Sequence, residues 1–415
     1  MSDTPSFPEC ETVITTFDKD FRYCGYSVGQ MGMIDLVPFA PLTDGELVAP
    51  GDLLFLDTET TGLSSGPGTV AFLLGVGHFC DDGFIIKQYL MRDYDEEESL
   101  LTHLTAEMGS RKALVTYNGK AFDMNLLASR CVMNGMRLRD AGCHIDLLRP
   151  ARRIWRRCLD NCRLVTLEND ILGERRVEDI PGSLIPQMYF DYLETREYEL
   201  MLGVLLHNRL DVLAMAAILK YMSDLVYRTR NGFPYDTMQH NIADRLSAGK
   251  LADRTAEELL GLAGLFYSLQ DIDLAESCLL KSLERDKPAI TRRAKTILAE
   301  IKKREGKYAE AAVYWKQLLA FSPAAGLYPY IELAKYYEHR ERDPEKAKEY
   351  ADQAYVIASG PVYRNTDAKQ AIEARRDRLV RKIARKAEID AEARERKKTG
   401  AKRRNRAASG ADSRN

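Results

Sequence analysis

The chain has 415 residues, 45% of them hydrophobic and 29% charged, and its formal net charge is −2. This length and this ordinary composition predict two or more globular units, each with a buried core. The near-neutral balance favours neither the presence nor the absence of a polyanionic partner, so the distribution of charge along the chain carries the information.

No segment of the sequence predicts export or membrane insertion. The opening MSDTPSFPEC lacks a basic region followed by an apolar core, and no stretch approaches about 18 consecutive apolar residues. Eight cysteines are scattered without a framework spacing, which fits reduced thiols. Cys158 and Cys162 have helical spacing, but no second pair matches them, so we expect no zinc or iron–sulfur site. We therefore expect a cytoplasmic protein without membrane contact.

The first half of the chain predicts a mixed α/β unit. Residues 1–50 are broken by Pro and Gly and predict a loop-rich lead-in with a strand or two. The runs LLFLD, VAFLLGVGHF and FIIKQYLM, separated by SSGPGT and DDG, predict three consecutive antiparallel strands. DEEESLLTHLTAEM then predicts a helix, ALVTYN a buried strand, and AFDMNLLASRCVMNG a helix that ends at Gly135. Residues 199–222 predict a long helix packed deep against the sheet. The expected fold is a mixed central sheet flanked by helices.

Small residues recur at a fixed period in the second half of the chain. Two sets of alanines repeat every 35 or 36 residues: Ala263, Ala299 and Ala334, and Ala275, Ala311 and Ala347. Such a period is typical of stacked helical hairpins. The stretches around these alanines resemble tetratricopeptide repeats, with Pro288 and Pro323 closing two of the units. An all-α repeat domain is therefore expected, with a protein partner as its possible ligand.

Basic residues accumulate near the C-terminal end. Residues 373–406 contain fifteen Lys or Arg against six Asp or Glu. We expect this segment to begin as a helix and to end in a low-complexity, disordered stretch, so that the tail is largely disordered. We expect its charge to attract nucleic acid or an acidic partner, or to serve only solubility. The predicted organisation is a lead-in at 1–50, an α/β domain at 51–225, a linker at 226–254, helical repeats at 255–360 and a basic tail at 361–415.

Four acidic residues stand in unusually apolar company. Asp57 and Glu59 follow a hydrophobic strand in FLDTETTG, Asp123 lies in YNGKAFDMNLL, and Asp211 lies in HNRLDVLAM. Residues two apart on a strand point to the same side, so Asp57 and Glu59 can form one wall of a cation site. If Asp123 and Asp211 face that wall, the cluster repels itself unless divalent cations neutralise it. Carboxylate oxygens select Mg²⁺ or Mn²⁺, and two such ions support phosphodiester hydrolysis.

His207 lies four residues before Asp211, which places both on one face of a helix. An imidazole at this place can take the proton from an attacking water. We therefore expect His207 to act as the general base, against the alternative of a satisfied structural histidine.

FLDTETTGL, TYNGKAFDMNLL and HNRLDVLAM resemble the three motifs of the DEDD superfamily of 3'-5' exonucleases, whose fold is ribonuclease H-like. The stretch from about residue 50 to 222 resembles the YprB-type ribonuclease H-like domain of bacterial proteins, some of which carry tetratricopeptide repeats behind it. The resemblance implies that Asp57 bridges two metals, Glu59 and Asp211 bind the first, and Asp123 assists the second. In the superfamily a catalytic His usually precedes the last Asp by five positions and a Tyr by four. Here a His has the four-residue spacing.

The same resemblance implies a set of residues that hold the terminal nucleotide. These residues are Thr58, Thr60, Leu63, Asn118 and Phe122. Phe122 is expected either to stack on a base or to pack in the core.

Two further features have alternative interpretations. RPARRIWRRC, residues 149–158, places five arginines around Trp155 and fits either a phosphate-tracking segment with a stacking indole or the solvated face of a helix. Asp146 in HIDLL either joins the carboxylate cluster or caps the end of a strand.

These observations predict a two-metal 3'-5' exonuclease that acts on an end of single-stranded DNA or RNA. No residue identifies a reader of the 2'-hydroxyl, so DNA and RNA remain open. The alternative is a non-catalytic nucleic-acid-binding scaffold that acts through its helical repeats.

Overall fold

A computed structural model describes residues 8–27, 31–35, 38–39, 47–62, 68–139, 142–177, 179–231, 255–284, 287–321, 326–360 and 366–409. The chain forms two compact units, Met1–Lys281 and Ser282–Asn415. Most of the predicted linker at 226–254 lies outside the described residues.

The first unit is built on a mixed six-stranded sheet. The strands are β1 (Glu11–Asp18), β2 (Arg22–Tyr23), β3 (Tyr26–Ser27), β4 (Ile34–Asp35), β5 (Leu47–Val48), β6 (Leu53–Thr60), β7 (Ala71–Cys80), β8 (Gly83–Leu90), β9 (Ala113–Thr116) and β10 (Cys143–Asp146). The sheet has the order β1-β8-β7-β6-β9-β10, while β2 pairs with β3 and β4 with β5. Strands β6, β7 and β8 run antiparallel in sequence, and β9 and β10 add parallel pairs beside β6. The predicted mixed sheet with three consecutive antiparallel strands is confirmed.

The lead-in contributes more to the fold than its sequence indicates. Strand β1 pairs with β8 over eight residues and forms the edge of the sheet. Its residues alternate between half-buried and exposed, as an edge strand with one covered face requires.

Helices surround this sheet, and some of them pack on other helices rather than on the sheet itself. They are α1 (Glu97–Gly109), α2 (Asp123–Met133), α3 (Leu148–Trp155), α4 (Leu164–Leu167), α5 (Ile185–Thr195), α6 (Glu199–Arg230), α7 (Thr255–Ser268) and α8 (Ile272–Ser282), the last of which reaches the boundary of the unit. Helix α2 ends just before Gly135, whose φ of 68° is left-handed and suits glycine. Leucines of α1 and residues of α5 and α6 bury one face of the sheet and form a continuous core.

Helix α6 is the structural element that carries two of the predicted site residues. It extends eight residues beyond the predicted end at residue 222 because apolar side chains such as Leu225 and Val226 continue its buried face. Among the described residues it is the one helix whose length and composition would allow it to cross a membrane, and 67% of its most apolar stretch is buried inside the protein. A core helix passes the same test, and the predicted cytoplasmic location stays a prediction.

The second unit is helical. Its helices are α9 (Pro288–Arg304), α10 (Tyr308–Leu318), α11 (Tyr328–His339), α12 (Pro344–Ala358) and α13 (Thr366–Ser409). Successive helices pack on each other, and Trp315 fills the core between them. The four periodic alanines of this unit are fully buried, as are the two in the first unit. Pro323 lies outside the described residues.

The predicted helical start of the basic tail is longer than expected, because the structure has a 44-residue helix, α13, that continues into the stretch where disorder is expected. Ile372 and Leu379 lie on one face of this helix and are buried in the second unit. The fully buried carboxylate of Glu338 accepts hydrogen bonds from Arg375 and Lys382 at 2.5 and 2.7 Å. Some of the basic residues of α13 are therefore partners of one buried acid within the second unit. The basic composition alone does not reveal this structural role.

Glu338 should make the second unit sensitive to acid. Burial alone would raise the pKa of Glu338, but hydrogen bonds from Arg378 and Lys382 lower it to about 2, against an ordinary value of 4.5. A lowered carboxyl pKa stabilises the fold above pH 4.5, and this contribution disappears as the pH falls towards 2. We expect Glu338→Gln to lower the free energy of unfolding by about 1–2 kcal/mol at neutral pH and by almost nothing near pH 2. Urea unfolding at both pH values tests this, and a deficit that persists at pH 2 would contradict it.

Candidate active site

The end of strand β6 presents the first two acidic residues towards helix α6. Asp57 pairs across the sheet with Gly75 of β7, and Glu59 pairs with Leu73. The backbone register shifts between Glu59 and Thr60, so the regular ladder ends directly after the second acid. The strand therefore delivers both carboxylates to the rim of the sheet.

The structure brings Asp123 and Asp211 within electrostatic reach of both Asp57 and Glu59. Burial raises the pKa of Asp57 well above its usual range, and the negative charges of Asp211 and Glu59 raise it further. Burial likewise raises the pKa of Glu59, and the negative charges of Asp211 and Asp123 raise it further. Such mutual repulsion in a buried place favours either protonation or a cation.

An amide network fixes the orientation of Asp57. Asn208 of α6 donates from Nδ2 to Asp57 Oδ2 at 2.9 Å, and its Oδ1 accepts from the buried Gln88 Nε2 at 2.9 Å. Gln88 also donates to the carbonyl of Leu205 at 2.7 Å. Because Gln88 determines which end of the Asn208 amide is the acceptor, the NH₂ group must face Asp57.

Gly75 makes room for this amide. A Cβ at Gly75 would lie 2.1 Å from Asn208 Oδ1 and 2.7 Å from its Cγ. We expect Gly75→Ala to displace Asn208, to leave Asp57 without its donor, and to lower the free energy of unfolding by about 1–3 kcal/mol. Urea unfolding measures this loss. Gly135→Ala is an unsuitable control because of its positive φ, whereas Gly264, in α7, has open space around it and should tolerate alanine. Equal stability of the two variants would contradict the prediction.

Asp123 begins helix α2 and accepts a hydrogen bond from the hydroxyl of Thr58. Burial raises the pKa of Asp123, while the bond from Thr58 lowers it. Thr58, which the sequence places among the nucleotide-binding residues, therefore supports an acidic residue in this structure.

Asp211 is held by Arg176, an arginine for which the sequence gives no signal. Arg176 Nη2 donates to Asp211 Oδ1 at 2.5 Å, Nη1 donates to Asp179 Oδ2 at 3.1 Å, and Nε donates to Glu168 Oε2 at 2.8 Å. The Arg176 side chain is only 4% exposed. Burial opposes its charge, but Asp211 and Glu168 raise the pKa of Arg176, so it stays a cation inside the site. One buried positive charge therefore balances part of the acidic cluster.

His207 lies beside the same arginine network. Its Nδ1 is 2.8 Å from Asp179 Oδ1, and its Nε2 is 3.8 Å from Asp211 Oδ2. The predicted placement of His207 and Asp211 on one helical face holds in the structure, and Asp179 joins them as a fifth carboxylate.

The carboxylate oxygens of the four acids have the chemistry that a hard divalent cation requires. Carboxylate oxygens are the ligands of Mg²⁺ and Mn²⁺. Within the described part of the chain, however, no group of three or more His, Cys, Asp or Glu side chains is arranged to hold an ion. Asn208, Thr58 and Arg176 occupy carboxylate oxygens instead. Each of these three bonds uses one oxygen of its carboxylate, so an ion could be held through the other oxygen.

The predicted nucleotide-binding residues are only partly described. Thr60 donates from its hydroxyl to the carbonyl of Gly62 at 2.8 Å, and Phe122 is half-buried at the start of α2. Asn118 is exposed with a positive φ of 67°, in the turn that precedes Asp123. Leu63 lies outside the described residues. Their role in binding a nucleotide stays a prediction.

Asp146 has the capping geometry that is one of its two predicted roles. Its Oδ1 accepts from the backbone N–H groups of Asn118 and Leu148 at 2.8 and 3.1 Å, and its Oδ2 accepts from that of Lys120 at 3.3 Å. This buried carboxylate ties the turn before Asp123 to the start of α3.

The predicted stacking role of Trp155 is wrong. The indole is fully buried, and its Nε1 donates to Glu258 Oε1 on α7 at 2.7 Å. The sequence cannot show that a later helix covers this face of α3. The five arginines of the segment are exposed, as the solvated-face interpretation expects.

Three residues of the site escape sequence reasoning, namely Arg176, Asp179 and Asn208. Arg176 and Asp179 lie in ERRVEDIPG, which has no strand or helix periodicity, and Arg176 is 35 residues from Asp211. Asn208 directly follows His207, yet a lone amide in a helix carries no distinct signal.

Comparison with known proteins gives the class of the first unit. Residues 54–223 match the family model described as RNase_H superfamily, a range that contains the four acids and His207. The α/β unit is therefore an RNase H superfamily domain. This class supports a nuclease-type enzyme with a nucleic-acid substrate, and nucleases of this class generally use divalent metals such as Mg²⁺.

The chain is also 32% identical over 312 residues to "Uncharacterized protein YprB" of Bacillus subtilis (strain 168), covering 74% of this chain and 70% of that protein. It belongs to the family of that protein. Among solved structures, the family B DNA polymerase from the hyperthermophilic archaeon Pyrobaculum calidifontis matches 61% of this chain and 35% of its own, at 15% identity and a TM-score of 0.34. A similarity of that size supports no conclusion about function.

Proposed function

We propose that the protein is a 3'-5' exonuclease of the DEDD type, which hydrolyses phosphodiester bonds at the end of single-stranded DNA or RNA with two Mg²⁺ or Mn²⁺ ions. The observation that carries the proposal is the group of four half-buried carboxylates on β6, α2 and α6, whose charges raise the pKa of Asp57 and Glu59. A folded protein retains such repulsion where cations are to be bound.

The carboxylates would divide the work of holding the ions. Asp57 would bridge both, Glu59 and Asp211 would hold the first, and Asp123 would assist the second. When bound, the ions would supply the positive charge that an in-line phosphodiester displacement requires. Asn208 keeps the carboxylate of Asp57 in one orientation, and Thr58 does the same for Asp123.

His207 would act as the general base. Its Nε2 would take a proton from the attacking water, a new P–O bond would form, and the P–O bond to the 3' oxygen of the preceding nucleotide would break. The leaving oxygen would then receive a proton from solvent. His207 stands four residues before Asp211 rather than five, yet the helix directs its Nε2 towards Asp211 Oδ2.

The terminal nucleotide would lie between the end of β6 and the start of α2. Thr58, Thr60, Leu63, Asn118 and Phe122 would form its contacts, with backbone N–H groups of the α2 start facing phosphate. The helices of the second unit would form a tetratricopeptide-like surface for a protein partner. The buried periodic alanines support this repeat interpretation.

One observation favours the alternative of a non-catalytic scaffold. Arg176 already supplies a positive charge to Asp211, so an arginine could replace the cation in an inactive domain. Its bond uses only Oδ1, however, and leaves Oδ2 of Asp211 facing His207. Cation binding at Asp211 therefore remains compatible with the arginine.

The test is incubation of the full chain with 5'-end-labelled single-stranded DNA and RNA in Mn²⁺. We expect a ladder of products that shortens from the 3' end, with mononucleotides released. A matched oligonucleotide blocked by a 3'-terminal phosphorothioate should be shortened much more slowly. A scaffold would bind both oligonucleotides and leave their length unchanged, and internal cuts in a circular substrate would reject the exonuclease mode.

A further inference from the structure

The segment between α4 and α5 contributes two charged side chains that contact the proposed catalytic residues. Arg176 and Asp179 come from this segment, and both contact residues of α6. Neither belongs to the three exonuclease motifs. The inference drawn from them rests on the proposed function and extends it to how the general base is oriented.

The contact with Asp179 determines which nitrogen of His207 is basic. Asp179 Oδ1 is 2.8 Å from Nδ1, and an ionised carboxylate can only accept a hydrogen bond. In the neutral imidazole the hydrogen must therefore be on Nδ1, which leaves the lone pair on Nε2.

That lone pair faces the carboxylate cluster, and no described residue makes a hydrogen bond with Nε2. Nε2 lies 3.8 Å from Asp211 Oδ2, a distance too long for a hydrogen bond. The neighbouring Gly182 has no side chain, and a Cβ there would still be 3.8 Å from Nε2. The basic nitrogen thus faces Asp211, one of the acids that would hold an ion in the proposed function.

Arg176 connects the two carboxylates that flank His207. Its Nη1 donates to Asp179 Oδ2 at 3.1 Å and its Nη2 donates to Asp211 Oδ1 at 2.5 Å. Each acid is held through one oxygen and keeps the other on the side of His207. The guanidinium is anchored by the fully buried Glu168, which also accepts from the hydroxyl of Tyr23.

We propose that Asp179 is the positioning residue that holds His207 with Nε2 as its basic nitrogen, and that Arg176 fixes the spacing between Asp179 and Asp211. A planar fork with several donors suits this task, since one guanidinium can bind two carboxylates in a fixed geometry.

Asp179→Asn tests the proposal because the network dictates how the new amide must turn. Asparagine has one acceptor oxygen, and the charged Nη1 of Arg176 requires an acceptor. The amide NH₂ must then face Nδ1 of His207, which becomes the acceptor and shifts the hydrogen to Nε2. The lone pair needed for catalysis is lost although the shape of the side chain is unchanged.

We expect Asp179→Asn to lower kcat on the Mn²⁺-loaded full chain by about 10²-fold or more, the size of a general-base contribution, with KM changed less than about twofold. Asp179→Glu, which keeps an ionised acceptor, should recover part of the loss. The exposed Asp160→Asn is the matched control and should turn over at the wild-type rate. Arg176→Lys should also lose kcat, because an ammonium cannot hold both carboxylates in the same geometry.

A spectroscopic measurement gives an answer that does not depend on activity. In protein labelled with ¹⁵N-histidine, the signals of His207 among the six histidines are assigned by their loss in His207→Gln. At about pH 8, where an ordinary imidazole is neutral, wild-type His207 should show a protonated Nδ1 and a lone-pair Nε2. Asp179→Asn should show the reverse, while Asp160→Asn should match wild type.

The outcomes distinguish the proposed nuclease activity from the positioning role of Asp179. Wild-type protein that shortens no substrate in Mn²⁺ overturns the proposed function. Wild-type activity that is lost in Asp57→Asn but retained in full by Asp179→Asn overturns only the positioning role. A wild-type His207 with its hydrogen on Nε2 also overturns that role, even if Asp179→Asn does not fold.

Discussion

Asp57→Asn is expected to remove nuclease activity and, at the same time, to make the metal-free protein more stable. Asparagine keeps the shape of the side chain and can still accept the hydrogen bond from Asn208. It loses the charge that would bridge two cations. We expect the rate on single-stranded DNA or RNA in Mn²⁺ to fall by at least about 10²–10³-fold.

The gain in stability follows from the charge of Asp57 in the folded state. Burial, Asp211 and Glu59 raise the pKa of Asp57. A carboxyl whose folded pKa is raised binds more protons in the folded than in the unfolded state, so stability falls as the pH rises above the ordinary value of 3.8. At neutral pH this charge opposes folding. Its removal should raise the free energy of unfolding by about 0.5–2 kcal/mol in a chelator.

Urea unfolding with EDTA at about pH 8 and about pH 4 measures this effect, which should shrink at the lower pH as Asp57 binds a proton in the wild type. Added Mn²⁺ should stabilise the wild type and should not stabilise Asp57→Asn. Asp160→Asn serves as the control for the change of an exposed acid to its amide. A destabilised Asp57→Asn would mean that the acid is satisfied without a cation.

The elements that the sequence predicts well are those with strong local patterns. Strands β6, β7 and β8 each contain an apolar run and are separated by turn residues, so their antiparallel order follows from short-range signals. Asp57 and Glu59 share a face because a strand alternates, and His207 and Asp211 share one because a helix has 3.6 residues per turn. These rules need no knowledge of the tertiary fold.

The parts that the sequence does not predict depend on contacts between distant segments. Arg176 reaches Asp211 across 35 residues, and the irregular segment that carries it gives no periodicity from which to infer its direction. Trp155 is buried because α7, more than 100 residues later, contributes Glu258. The sequence of helix α13 is typical of a solvated charged segment. Only two of its apolar residues, Ile372 and Leu379, are buried among those described, which is too few to produce a clear hydrophobic periodicity.

Removal of residues 388–415 is expected to weaken binding of single-stranded nucleic acid without disturbing the second unit. The buried Leu379 and the partners of Glu338 all precede this cut. Described side chains at 388–396 are exposed, and the removed stretch contains nine Lys or Arg and five Asp or Glu. Its net positive charge should attract phosphates and release their counterions, which makes the contribution dependent on salt.

We expect the Kd for a single-stranded oligonucleotide, measured in EDTA to prevent cleavage, to rise by about tenfold near 50 mM salt and to approach the full-length value at high salt. The slope of log K against log salt should become shallower by about 0.7 for each phosphate contact that is lost. A full-length variant with the basic residues of 394–406 changed to Gln separates charge from chain length, and it should behave like the truncated protein. If it instead binds like the wild type while the truncation binds weakly, the segment contributes through its length rather than its charge. If both bind like the wild type at low salt, this end of the chain does not contact nucleic acid, and its positive charge serves solvation or another partner.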